Sequence, residues 1–316
     1  MANFRPLRSP ITIGNTLTTA EPFGETRGGI FLNSGGSSTL IFSLNRLGFA
    51  NENKSSYFEY AEILRNYLDI TFDGTYTSQT LDITLTFEQL DEPQGTTVFN
   101  TTESFIGIYG YTDYIQGDNV EYTTDQPAIS TTNLYIPDGV AGYIPSLNTT
   151  TGEIDYNTFS TTDTTKTIGS TEFTIKRICE PKYQDYKVTF VNKFGALQDL
   201  YFYLIRRDTT TASSDTYKAH KTTPTGGYVI EEHSKETFNI KANDKFILNT
   251  CYLDETYNDV ITELMLSDKI WITENAQVLP IRITTTSLEK KTTVNDKLIQ
   301  YTLQFEYAFD KINNIL

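Results

Sequence analysis

The amino-acid sequence predicts a mainly β protein: two antiparallel β-sandwich or barrel-like domains carrying one or two short helices. Composition is the first reason. About one residue in six is Thr, and Tyr (21) and Phe (19) are abundant while Trp (1) and Met (2) are scarce. Thr, Tyr and Phe suit a pleated, half-buried surface. Periodicity is the second: apolar and polar residues alternate with period two in several runs, as on strands. The third is turn chemistry, which punctuates those runs at roughly 8–12 residue intervals, the spacing of sandwiches and barrels.

Residues 1–22, with Pro6, Pro10 and Pro22, read as an N-terminal arm. "GGIFLNSGGSSTLIF" then reads as a short hairpin. Across 57–68, Tyr60, Ile63, Leu64 and Tyr67 recur at helical spacing and predict a helix. In 81–87, Leu81, Ile83, Leu85 and Phe87 alternate with Asp82, Thr84 and Thr86, the cleanest strand of the chain. "FIGIYGY", 105–111, is a further strand, whose glycines mark a bulge or a close backbone approach. Thr, Ser and Asp dominate 148–171, which reads as a linker or a long exposed loop. The expected organisation is an arm over 1–22, an acidic β-rich domain over 23–165, and a C-terminal β-sandwich domain over 166–316.

Strands dominate the second half. "TEFTIKRI" leads into "KVTFVNKFGALQDLYFYLIRR", 187–207, which reads as strand, turn, strand. Its second strand runs almost unbroken through Leu200, Tyr201, Phe202, Tyr203, Leu204 and Ile205, as expected of a strand covered on both faces. A polar loop follows over 207–227. Strands are expected at "GYVIEE", "ETFNIKA" and "DKFILNTCYL", then a helix near 255–267 with Val260, Ile261, Leu264 and Met265 on its apolar face. "KIWITE" and "VLPIRITTT" return to strands. The last, 297–310, is an amphipathic strand of about thirteen residues, well above the usual length. On it Ile299, Tyr301, Leu303, Phe305 and Tyr307 oppose Leu298, Gln300, Thr302, Gln304 and Glu306.

The net charge is −15, unevenly placed. Residues 1–170 hold 7 Lys+Arg against 20 Asp+Glu, a balance of −13, and residues 171–316 hold 18 against 20, or −2. Phosphate contacts need clustered Lys and Arg, so the acidic first half argues against non-specific binding to nucleic acid or an anionic membrane. No run approaches the ~18 apolar residues of a membrane span, and the start lacks an apolar leader. Synthesis in a cytoplasm without membrane insertion is expected, with Cys179 and Cys251 as two buried free thiols and a single disulfide between them as the alternative.

Sequence patterns for chemistry are sparse. His220 and His233 flank a Gly-containing loop, and a metal site there would need a third ligand such as Asp215 or Glu231. There is no nucleophile elbow, phosphate loop or dinucleotide-binding glycine pattern. A glycosidase needs two carboxyls roughly 5–9 Å apart, and pairs such as Asp82 and Glu88 are too numerous to single one out. No catalytic residue, cofactor or metal is expected. The open question is what covers the second face of the apolar strands: the chain's own core, a ligand, or a neighbouring chain. The residues expected at such an interface are Leu200, Tyr201, Phe202, Tyr203, Tyr301, Leu303, Phe305 and Tyr307.

These same segments resemble virion structural proteins of short-tailed bacteriophages, especially the crAss-like phages. "YKVTFVNKFGALQDLYFYLIRR" is similar to a segment of that group in which a strand ending "FVN" is followed by a Gly turn, "QDL" and aromatics. "ETYNDVITELMLSDKIWI", "VLPIRITTTSLEKKT" and "NDKLIQYTLQFEYAFDKIN" are similar to it as well, and together the matched segments span less than half of the chain. The resemblance implies a tail hub, collar, ring or head–tail connector subunit without an active site. It would pair with copies of itself in a symmetric ring and with other tail proteins; if the acidic first half faces a DNA conduit, its charge would keep the genome from adhering, without specific DNA binding. Its place would be the virion tail, after synthesis in the host cytoplasm. A carbohydrate-binding tail-fibre or adhesin module used in host attachment is the main alternative, and a polysaccharide depolymerase the second.

Overall fold

The computed structural model describes residues 2–16, 23–47, 55–91, 95–178, 183–219, 223, 225–290 and 299–312. The first half opens with β1 (Phe4–Pro6), β2 (Thr12–Thr16), β3 (Phe23–Ser34), β4 (Ser37–Leu47) and β5 (Ser55–Glu59). Helix α1 (Ala61–Arg65), β6 (Leu81–Asp91) and β7 (Thr97–Ile108) follow. One five-stranded sheet runs β1-β7-β6-β3-β4, and β2 pairs with β5. Next come β8 (Gln126–Pro127), β9 (Asn133–Pro137), β10 (Gly142–Asn148), β11 (Glu153–Phe159), β12 (Thr165–Ile168) and β13 (Thr171–Ile178). They make two three-stranded sheets, β11-β10-β8 and β12-β13-β9. The last group is β14 (Tyr186–Val191), β15 (Leu197–Phe202), β16 (Arg207–Lys218), β17 (Lys235–Asn249), helix α2 (Tyr257–Leu266), β18 (Ile270–Glu274), β19 (Gln277–Ile283) and β20 (Thr302–Tyr307). Their seven-stranded sheet runs β15-β14-β18-β19-β20-β17-β16. The architecture is mainly β, as the sequence predicts.

Local chemistry explains several elements. Gly35 and Gly36, at φ 57° and 82°, form the two-residue turn whose positive dihedrals match the twist of the flanking strands β3 and β4. In β6, Ile83, Leu85 and Phe87 are buried, the face that the alternation marks. The helix expected over 57–68 is only α1. Phe58 pairs with Ile13 of β2, so the backbone bonds of 55–59 go to a sheet and the helix begins after Tyr60. Tyr60 and Leu64 are nonetheless fully buried, whereas Tyr67 is exposed. The stretch 148–171 is not a linker: it contains β11 and β12, with Ile154 and Phe159 buried as anchors. Thr is a strand former as well as a loop residue, and two buried apolar side chains decide between those roles.

Residues 2–16, part of the expected arm, lie in the cores, with Phe4, Leu7, Ile11 and Ile13 buried; residues 17–22 lie outside the described residues. The parallel pairing of β9 with β13, Ile175 beside Leu134, joins the chain on either side of residue 165. The cores cross that position too. One cluster gathers Ile30, Ile83, Leu85, Phe87 and Phe105 of the five-stranded sheet with Val191, Leu197 and Trp271 of the seven-stranded one. Another packs Leu134, Ile144, Phe159, Phe173 and Ile175 against Tyr201 and Tyr203. A third packs α2 through Val260, Ile261 and Leu264 onto Val188, Leu200, Phe202, Phe246 and Phe305.

The close backbone approach read from "FIGIYGY" occurs at Gly110. A side chain there would collide with the Lys193 carbonyl in the 192–195 turn, and the Tyr111 amide donates to that same carbonyl at 2.8 Å. Gly195, at φ 74°, in turn sits against the Tyr109 and Gly110 backbone. Asn192 braces the turn: its Oδ1 accepts from the amides of Phe194 (3.0 Å) and Ala196 (3.1 Å), and its Nδ2 donates to the Ala128 carbonyl at 2.7 Å.

Candidate functional site

The apolar run at 200–205 is covered from within the chain. Leu200 and Phe202 enter the core under α2, and Tyr201 and Tyr203 enter the core of the three-stranded sheets. Tyr203 donates its hydroxyl to the Tyr135 carbonyl at 2.7 Å. Tyr301, Leu303 and Phe305 are equally buried, and Tyr301 donates to Asn258 Oδ1 of α2. These seven residues of the expected interface therefore have no surface to offer a neighbour; each face of β15 and the apolar face of β20 meets another part of the same chain. β20 also spans six residues instead of thirteen, and residues 291–298, which include Leu298, lie outside the described residues.

Tyr307 is the exception. Half-buried, it accepts from Arg206 Nη2 at 3.0 Å and donates to Glu274 Oε2 at 2.9 Å. Arg206 also pairs with Glu274 and Asp208 and lies over the rings of Phe246 (4.3 Å) and Tyr186 (5.2 Å). Burial opposes its charge, but the hydrogen bonds to Tyr307 and Asp208 and the charge of Glu274 outweigh that and hold its pKa above the ordinary arginine value. This cluster fixes the root of the hairpin formed by β16 and β17.

That hairpin is the feature sequence reasoning missed. The segment 207–227 read as a polar loop, yet β16 runs through all of "RDTTTASSDTYK", and all twelve of its residues are exposed. Three successive β-branched Thr residues favour the strand, and β17 supplies the partner, with Arg207 opposite Ile247 at the root and Lys218 opposite Lys235 at the far end. A bulge interrupts the register after Ser213. Asn239 adopts φ 50° there, a left-handed conformation that Asn tolerates better than most residues, and donates to Asp215 Oδ2 at 2.9 Å. Near the tip Tyr217 and Phe238 meet edge to face at 5.7 Å while both stay about half exposed.

"GYVIEE", expected to be a strand, is instead the tip of this hairpin. Tyr228, Val229 and Ile230 are all exposed there, Ile230 at 85%. At the root, Tyr183, Leu204, Ile205, Arg207, Ile247 and Asn249 line an open groove of about 380 Å³, at the small end of ligand-sized pockets.

β16 is an edge strand, and so is β4 at the end of the five-stranded sheet. From Ser37 to Asn45 β4 carries no charged residue and no proline, and Leu40 and Phe42 on it are exposed. Edges are ordinarily blunted by charge or proline. Of the opposite edges, β1 exchanges backbone bonds with Tyr122, and β15 packs beside β9 and β10.

The groups weighed for chemistry are dispersed. Asp82 and Glu88 lie six residues apart on β6, roughly 20 Å at strand rise, beyond glycosidase spacing; Asp82 accepts from Asn33 at 2.9 Å and Glu88 from Thr97. Asp215 is bound to Asn239, Glu231 lies at the hairpin tip, His233 is exposed, and His220 lies outside the described residues. Among the described residues no three His, Cys, Asp or Glu side chains gather as metal ligands. Cys251 is an unpaired, half-buried thiol whose pKa burial raises to about 12; Cys179 lies outside the described residues. No described helix is long and apolar enough to cross a membrane. Glu263 of α2 is buried against Ser130 and the Lys193 amide, and desolvation raises its pKa.

Comparison with family models, with curated proteins and with solved structures finds no match.

Proposed function

We propose that this chain is a structural subunit of a short-tailed bacteriophage virion, a tail hub or head–tail connector or collar component that works through contacts between subunits in a symmetric ring. The observation that carries this is the β16–β17 hairpin. Beyond Ala242, where β17 leaves the core, the hairpin is a two-stranded ribbon; such a ribbon is marginally stable in water by itself, and one with apolar residues at its tip favours being covered by another chain. The uncharged edge of β4 adds a second surface able to accept a strand. Two different surfaces on one subunit suit head-to-tail contacts, which close into rings when the rotation permits. The acidic first half suits a wall past which DNA moves without adhering.

The test is assembly. The purified protein, alone and mixed with the products of neighbouring genes, should form rings or joint complexes visible by negative-stain electron microscopy. Monomers under both conditions at high concentration would refute the proposal. A glycan-binding module is the second reading, favoured by Tyr114, which is fully exposed beside the almost fully exposed Ile115. Binding on a glycan array that Tyr114→Ala abolishes would select it.

A further inference from the structure

We infer that the hairpin tip of one copy seats in the groove at the hairpin root of a second copy. The inference rests on the self-assembling subunit proposed above and names the surfaces that would meet. Tip and groove complement each other in two respects. Tyr228, Val229 and Ile230 offer an exposed apolar wedge, and Leu204, Ile205 and Ile247 line an open apolar recess. Glu231 and Glu232 adjoin the wedge, while Arg207 lines the recess. None of these three charges has an ion-pair partner among the described residues, although Arg206 next door is fully engaged.

The two surfaces do not meet within one chain. β16 has twelve residues, and at about 3.3 Å per residue its ends are roughly 40 Å apart. Pairing with β17 holds the ribbon extended over that length. Among the described residues of the tip, the Thr223 amide donates to the Gly227 carbonyl at 2.7 Å and the Glu232 amide to the Val229 carbonyl at 3.2 Å. Contact between different patches of identical chains extends head to tail, or closes reciprocally when two hairpins lie antiparallel.

Sedimentation velocity over a concentration series tests this on the full chain. Arg207→Glu, and separately Glu231→Lys with Glu232→Lys, should each weaken self-association about tenfold. Combining all three should restore it to within about threefold of the unaltered protein, which a merely misfolded variant would not do. Ile205→Cys and Ile230→Cys proteins, mixed and oxidised, should give a disulfide-linked dimer in excess over either protein alone. Ring or dimer formation unaffected by the charge reversals, with no cross-link specific to the mixture, would overturn the inference and leave the subunit proposal standing. Unaltered protein that stays monomeric, alone and with its neighbours, would overturn both.

Discussion

Replacing Phe305 tests whether the β20 core belongs to the single chain. Phe305 is fully buried. It stacks on Phe246 at 5.7 Å, meets Phe202 edge-on at 5.9 Å, and sits in register with Phe246 and Ile283 on the two flanking strands. Truncating a core Phe to Ala costs about 3–5 kcal/mol, and each aromatic contact contributes roughly 0.5–1.5 kcal/mol beyond its area. Strands hydrogen-bonded on both sides of Phe305 limit collapse into the cavity, so Phe305→Ala should lose about 4–5 kcal/mol, a large part of a typical 5–15 kcal/mol stability. Phe305→Leu, which keeps most of the volume, should lose roughly 1–2 kcal/mol. Guanidinium unfolding followed by the fluorescence of the single tryptophan, Trp271, measures both; its ring lies 5.7 Å from Phe72 in the shared core. The loss should be the same at widely separated protein concentrations. A loss under about 1.5 kcal/mol, or one that grows on dilution, would mean that a neighbouring chain covers this face.

Gly110→Ala should destabilise by roughly 1–3 kcal/mol by forcing the 192–195 turn off the β7 end; Gly35→Ala, at φ 57° with open space around it, should cost about 1 kcal/mol. Equal denaturation midpoints for the two would contradict the close approach. Glu263 has a folded-state pKa raised by burial. Its contribution is therefore fully present below the ordinary carboxylate value of 4.5 and is lost as pH rises through the folded pKa. Glu263→Gln should remove that decline, so the gap between variant and unaltered protein should change across this window; parallel unfolding curves at every pH would argue against it. Arg206→Ala should cost about 1–3 kcal/mol because it leaves the partly buried Glu274 without its cation, and should raise proteolysis at the hairpin root. Resistance equal to that of the unaltered protein would show that the root is held by other contacts.

Strand content was legible because it depends on near neighbours. The alternation of Leu81 to Phe87 needs only a sheet with one wet face, and the unbroken run from Leu200 to Tyr203 needs only cover on both faces. α2 was legible for the same reason, since Val260, Ile261 and Leu264 share one helical stripe. The Gly110 approach was half legible: sequence marked the glycine, and the fold supplied the Lys193 carbonyl.

What the sequence by itself determined is the class of structure, mainly β with two short helices, because side-chain periodicity and turn chemistry act over a few residues. Only the tertiary structure decided what covers each strand. The sequence requires a cover for Tyr201, Tyr203, Tyr301 and Phe305 without naming it, and the fold supplies it from segments far away in the chain. The fold likewise turned a Thr-rich stretch that reads as a loop into β16, because β17 offers it a hydrogen-bonding partner, and left Tyr228 to Ile230 uncovered at the end of the ribbon. Burial is a property of distant contacts, so the outer surface of this protein emerges only once the chain has folded.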